Sequence, residues 1–230
     1  MTSRLLAGAA EVDITPPVGT AMAGALNPRA SEGVQDPLTI KAVVLSCGGV
    51  EIAYVLLDII ALLRDEADPA VNEASRRSGI PARNTVWAAS HTHTGPYTSP
   101  KSLFAMPDAC GVVNMDWLAS LPAKFADAVS AAKQRLRSAR ISRERAYCQK
   151  GGHNRRLRFK DGREINAWCL HRGEEESQCL GWATVIDPEI GILCFDDDAG
   201  SPIAVLWQYV VHTNSNFGRH LSADYPGVVA

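Results

Sequence analysis

The apolar positions of the chain fall into two kinds of run. TIKAVVLSC (39–47) and VEIAYVLLDII (50–60) are dense in β-branched and aliphatic residues and are separated only by Gly48-Gly49. That pattern predicts a strand, a tight turn and a second strand. GILCF, DDDAGSP and IAVLWQYVVH repeat it between 191 and 212, and TVWAAS (85–90) predicts a further short strand. Helical spacing occurs twice. Asp68-Pro69 followed by Gly79 predicts a short helix over DPAVNEASRRSG, capped at both ends. From about Asp116 to Arg137, the residues Leu118, Leu121, Phe125, Val129, Ala132 and Leu136 form one apolar stripe, with Pro122 predicting a kink or a late start. Trp87, Trp117 and Trp207 sit inside these apolar patterns and are expected in the core.

Between Arg140 and Asp187 the periodicity fades. GGHNRRLRFKDGREIN and HRGEEESQ read as a long surface excursion with short strands, one turn falling at Lys160-Asp161-Gly162-Arg163. No repeat of solenoid length and no linker divides the chain, so the expectation is a single domain over 1–230. Ser222-Ala223-Asp224-Tyr225-Pro226-Gly227 announces a turn or helix start with only three residues after it, which suggests a domain incomplete at its C-terminal end. The fold class expected is α/β, a mixed sheet built partly from hairpins with helices packed outside.

Composition narrows the function. The chain has 230 residues, of which 46% are hydrophobic and 21% charged, an ordinary globular balance able to bury a core. A formal charge of −2 gives no general attraction to nucleic acid. The basic group Arg155, Arg156, Arg158, Lys160 and Arg163 lacks interleaved aromatics beyond Phe159 and has Glu174 to Glu176 nearby, so a solvated loop is the better reading. The six cysteines (47, 110, 148, 169, 179, 194) include no C-x-x-C pair, which argues against a zinc ribbon or a thioredoxin-like site. No run approaches the ~20 apolar residues of a membrane span, and Leu5 to Ala10 is too short for a signal-peptide core. A cytoplasmic location is the default expectation. Neither a G-x-S-x-G elbow nor a P-loop occurs. Asp196-Asp197-Asp198 lacks the spacing of a calcium loop and reads as a hairpin turn.

Candidate chemistry lies at the strand ends. His91 and His93 follow TVWAAS directly, and on a strand, residues two apart share a face. Two imidazoles aimed into one site are suited to a divalent metal, although an H-x-H pair is also a common solvated strand end. IAVLWQYVVH ends in His212 and IAYVLLD ends in Asp58. If these strands share a sheet and a direction, the groups lie along one rim, which favours a metal site. Asp58 then either accepts from an imidazole N–H or forms a turn, and the sequence leaves both open.

With the histidines placed, the chain resembles the neutral/alkaline (non-lysosomal) ceramidase family. GAAEVDITPPVGTAMAG, GVQDPL, SHTHTGP, HNRR, VVHTNSN and SADYPG occur in that family's order from about Gly8 to Gly227. The most specific parts are SHTHTGP and VDITPPVGT. The resemblance implies a zinc-dependent amidase that hydrolyses an N-acyl bond by metal-activated water, and a layered α-β-β-α arrangement that the patterns themselves do not give. It implies His91 and His212 as Zn2+ ligands, His93 lining the site, and Arg155 facing a small-molecule or lipid amide substrate. It places a further glutamate and tyrosine ligand, and the family's proposed serine, past Ala230, so that this fragment alone is expected to turn over little. The rival readings are a metal-dependent hydrolase of another small amide or ester, and a non-catalytic domain that keeps the fold. Oligomeric state is not legible in the sequence.

Overall fold

The computed structural model describes residues 4–25, 29–99, 113–170 and 176–230. Its contacts divide the chain into two compact units. The first comprises Met1–Ile141, Phe195–Ala204 and Thr213–Ala230, and the second Ser142–Cys194 and Val205–His212. The architecture is mixed α/β with hairpins.

The first unit is organised by one five-stranded sheet and two helices. The strands of this sheet and the two helices are, in chain order, β1 (Leu6–Asp13), β2 (Thr39–Cys47), β3 (Val50–Leu57), α1 (Arg64–Ser78), β4 (Thr85–Ala89), α2 (Met115–Gln134) and β5 (Arg137–Ser138). The sheet order is β4-β3-β2-β1-β5. β2 and β3 form the expected hairpin, in register from Ile40 opposite Leu57 to Cys47 opposite Val50. Gly48 and Gly49 make the turn at φ 59° and 83°, left-handed values at both central positions that glycine adopts without a Cβ penalty. β4 runs parallel to β3. Both strands therefore end on the same edge, Leu57 opposite Ala89.

The sheet presents Ala42, Val44, Ala53, Val55 and Leu57 to a core filled by Leu118, Leu121, Phe125, Val129 and Ala132 of α2. Burying one such side chain removes enough apolar area to contribute about 1.5–3 kcal/mol. α2 begins at Asn114, whose side chain accepts from Trp117 N at 3.0 Å, and it continues through Pro122. The apolar stripe read from the sequence is buried along this helix, apart from Leu136, which follows its end. α1 departs from expectation. It starts four residues before Asp68 and contains Pro69. Asp65 and Glu66 lie in the added first turn, where carboxylates offset the helix dipole. Gly79 closes the helix as expected, its N–H donating to Ser75 O.

In and around the second unit run β6 (Arg140–Tyr147), β7 (Arg156–Phe159), β8 (Glu164–Asn166), β9 (Cys179–Trp182), β10 (Glu189–Asp196) and β11 (Pro202–Gln208). They form two three-stranded sheets, β8-β7-β9 and β11-β10-β6. The turn at 160–163 is present, with Gly162 N donating to Phe159 O and Phe159 N to Arg163 O. Asp197 forms the β10–β11 turn through bonds to Ala199 N and Ser201 N. β6 escaped the sequence pattern because seven of its eight residues are exposed, leaving no alternation to read. Trp117 is buried, whereas Trp87 and Trp207 are half-buried. Glu174 and Glu175 lie outside the described residues. The chain closes in α3 (Asp224–Val229), the helix announced by SADYPG. Among the described residues no helix is long and apolar enough to cross a membrane.

Candidate metal centre

The two histidines do not sit on a strand. β4 ends at Ala89, and His91 adopts φ 66°, a left-handed backbone rare for a residue with a Cβ. The same-face rule used on the sequence therefore does not apply here, and the chain reaches a similar result by another route. Ser90 N and His91 N donate to Leu57 O and Ile59 O, carrying the segment alongside the end of β3. Thr92 and Thr94 then turn inward, fully buried. Their hydroxyls donate to Ser222 O at 2.7 and 3.0 Å, and Ser222 N donates back to Thr94 O. Buried hydroxyls satisfied in this way hold the turn firmly.

Each imidazole is oriented from behind. His91 Nδ1 lies 2.7 Å from Ile60 O, and His93 Nδ1 lies 2.9 Å from Gly24 O. A carbonyl can only accept, so in both rings Nδ1 carries the proton and Nε2 presents its lone pair. These Nε2 atoms face one another at 3.5 Å, with the rings nearly perpendicular. Two lone pairs at that distance repel unless a cation or a shared proton lies between them. The donor set therefore fits a metal ion, and it carries the backing carbonyls typical of metal-ligating histidines. Burial pushes the His93 pKa down, assisted by the neighbouring His91 and opposed by the Gly24 bond, so the neutral, metal-competent form is favoured.

His212 belongs to the second compact unit. It lies four residues beyond the end of β11, so the expected strand stops short of it. The following residue, Thr213, is buried and donates to Ser90 O at 2.6 Å, which anchors this part of the chain beside the His91 turn.

Two further expected residues have contacts of their own. Asp58 Oδ2 accepts from Thr39 N (3.1 Å), Thr39 Oγ1 (2.8 Å) and Lys41 Nζ (3.1 Å), while its Oδ1 is buried without a hydrogen-bond partner among the described residues. It braces β2 against the end of β3 and, among the described residues, accepts from no imidazole. Arg155 is exposed, its carbonyl accepting from Ala167 N.

Residues that pattern reading missed complete the surroundings. Gly24, at φ 93°, supplies the carbonyl for His93, and a Cβ there would come within 2.6 Å of His93 Cβ. Arg29 donates to His93 O and to Phe217 O. Asp224, buried at φ 59°, accepts from the N–H groups of Ser215, Asn216 and Tyr225 and from the Ser215 hydroxyl. The only signal for Asp224 was its place in SADYPG, and Arg29 had none.

No protein family and no curated protein matches this chain in sequence. Solved structures do match in fold. The neutral ceramidase of Pseudomonas aeruginosa superposes with a TM-score of 0.74 at 18% identity, over 99% of this chain and 35% of that one. A ceramidase complexed with C2 gives 0.74 and 18%, over 98% of this chain and 34% of the other. The chain thus spans about a third of the length of the ceramidases it matches. This likeness establishes a shared fold.

Proposed function

We propose that this chain carries the metal-binding part of a zinc-dependent amidohydrolase of the ceramidase type, acting on the N-acyl bond of a lipid amide. In this reading His91 and His212 hold the ion, His93 lines the site and Arg155 faces the substrate, with residues 1–230 forming part of one catalytic domain. The observation that supports it most is the pair of Nε2 atoms of His91 and His93, facing one another at 3.5 Å on rings whose Nδ1 atoms are bonded to carbonyls. The fold likeness to proteins named as ceramidases points the reading toward amide hydrolysis.

A bound zinc ion would supply Lewis-acid polarisation and lower the pKa of an attached water toward ~7. The chain's own residues do the rest. Because His93 Nδ1 is committed to Gly24 O, protons can move only at Nε2. That nitrogen can take a proton from the attacking water and return it to the leaving amine. The depressed basicity of His93 suits release over retention. Arg155 offers a guanidinium fork for substrate oxygens.

The test is zinc content and hydrolysis in the full-length protein, assayed against N-acyl sphingosine, short N-acyl amides and esters. Zinc near one equivalent with N-acyl sphingosine preferred supports the proposal. Cleavage of esters or short amides alone would move the substrate class, and absence of both zinc and hydrolysis would leave a non-catalytic domain.

A further inference from the structure

Arg29 has no part in the reading above, yet it touches two segments of the site at once. Its Nη2 donates to the carbonyl of His93 at 2.8 Å and its Nη1 to the carbonyl of Phe217 at 3.0 Å. The guanidinium also lies over the Phe217 ring, 4.5 Å from its centroid. Phe217 belongs to the loop that follows His212, and three further bonds clamp that loop from the same unit. Thr213 holds Ser90 O, and Asp224 holds the N–H groups of Ser215 and Asn216. Arg29 is the third clamp, and it joins this loop to the carbonyl of His93 itself.

The arrangement carries an electrostatic cost. Burial, reinforced by nearby Arg219, lowers the Arg29 pKa, and Nε is buried with no hydrogen-bond partner among the described residues. A partly desolvated cation held by two carbonyls and an aromatic face is a demanding arrangement if the task is only to join two loops. A planar fork fixes the angle between its two acceptors, which a flexible ammonium cannot do.

We infer that Arg29 is a positioning residue of the histidine site, fixing the His93 backbone relative to the loop after His212 so that the imidazoles keep a geometry able to hold a metal. The inference rests on the proposed function for its metal.

The experiment is zinc affinity, measured by competition with a chromogenic chelator, in full-length wild type, Arg29→Ala and Arg29→Lys. Folding of each apo variant is checked by circular dichroism. Both variants are expected to bind zinc about 10–100-fold more weakly, the range for losing an outer-sphere partner. Millimolar guanidinium is expected to restore affinity in Arg29→Ala and leave wild type unchanged, a response that a general loss of stability would not give. Affinity of Arg29→Lys within twofold of wild type overturns the inference, whether or not Arg29→Ala folds. A wild-type protein without zinc affinity refutes the proposed function instead. Positioning is then read from the 15N shifts of the His93 ring, which Arg29→Lys must alter for the inference to stand.

Discussion

The Nε2 atoms of His91 and His93 point at each other across 3.5 Å, while both Nδ1 atoms are tied to backbone carbonyls. Neither ring can relieve the facing lone pairs by switching tautomer without leaving a carbonyl unbonded and the bare Nδ1 lone pair turned toward it. The protein therefore gains by placing positive charge at this point, a cation held by His91 or a proton taken up at His93 Nε2, and the two nitrogens should differ in what their removal costs.

The first prediction follows directly. His91→Ala should bring zinc in the purified protein from near one equivalent to well below a tenth, as measured by inductively coupled plasma mass spectrometry. His93→Ala should weaken zinc less and reduce turnover more, because the proposal gives His93 a proton to move. Equal zinc content in wild type and His91→Ala would remove His91 from the ligand set.

Gly24 offers a test that touches no ring atom. Its φ of 93° is strained for any residue with a Cβ, and that Cβ would meet His93 Cβ at 2.6 Å and His93 Cα at 2.7 Å. The neighbours are the root of a side chain and its backbone, which cannot swing aside. Gly24→Ala should cost at least about 1–2 kcal/mol from backbone conformation alone, and the clash should displace the His93 turn. Denaturant unfolding measures the first effect and zinc affinity the second. A variant of wild-type stability and affinity would mean that the 24–93 contact is looser than described.

The sheet was legible because β2 and β3 are apolar and β-branched and meet at Gly48-Gly49, so local preference and burial agree. α2 was legible for the same reason. The site was legible only in part. His91 and His93 stood out as a pair, but the geometry inferred for them was that of a strand, whereas the chain uses a left-handed His91 and two buried threonines. Nothing local in HTHT signals that turn, because its hydrogen bonds go to Ser222, some 130 residues away. Arg29 and Gly24 were invisible for a related reason. Each works through a carbonyl brought near by folding, and a carbonyl leaves no mark in the sequence. The start of α1 was misplaced because Asp68-Pro69 imitates a cap, while the extra turn begins at Leu63 without a side-chain cap.

Acid stability should carry a mark from α1. Glu73 accepts from Arg76 and Arg77, and these hydrogen bonds lower its pKa from 4.5 to about 2. A carboxylate with a depressed pKa contributes stability above its unfolded value, and the contribution is lost as pH falls through the folded value. The window is therefore about pH 4.5 down to about 2. Because Glu73 is solvent-facing, the effect should be small and sensitive to salt. The melting temperature of Glu73→Gln should lie slightly below that of wild type at pH 6 and converge with it near pH 2. A gap that stays constant across the window would show that the ion pairs contribute nothing.

Asp58 separates a structural role from a role at the metal. Had it oriented an imidazole, its amide analogue would disturb zinc binding. Its side chain is instead almost fully buried, and Oδ2 is engaged by Thr39 and by Lys41, whose own side chain is mostly buried. Asp58→Ala would leave the Lys41 ammonium without its carboxylate and Thr39 N–H without its acceptor. Removing one partner of a buried pair costs about 3–5 kcal/mol, and the partial exposure of Lys41 places this case at the lower end. Asp58→Asn keeps an oxygen for Thr39 and loses only the ionic contact, so it should cost less than Asp58→Ala. In either variant, zinc affinity measured on the folded fraction should match wild type. A loss of affinity without a loss of stability would return Asp58 to the metal site and oblige the His91–Ile60 contact to be less decisive than its 2.7 Å suggests.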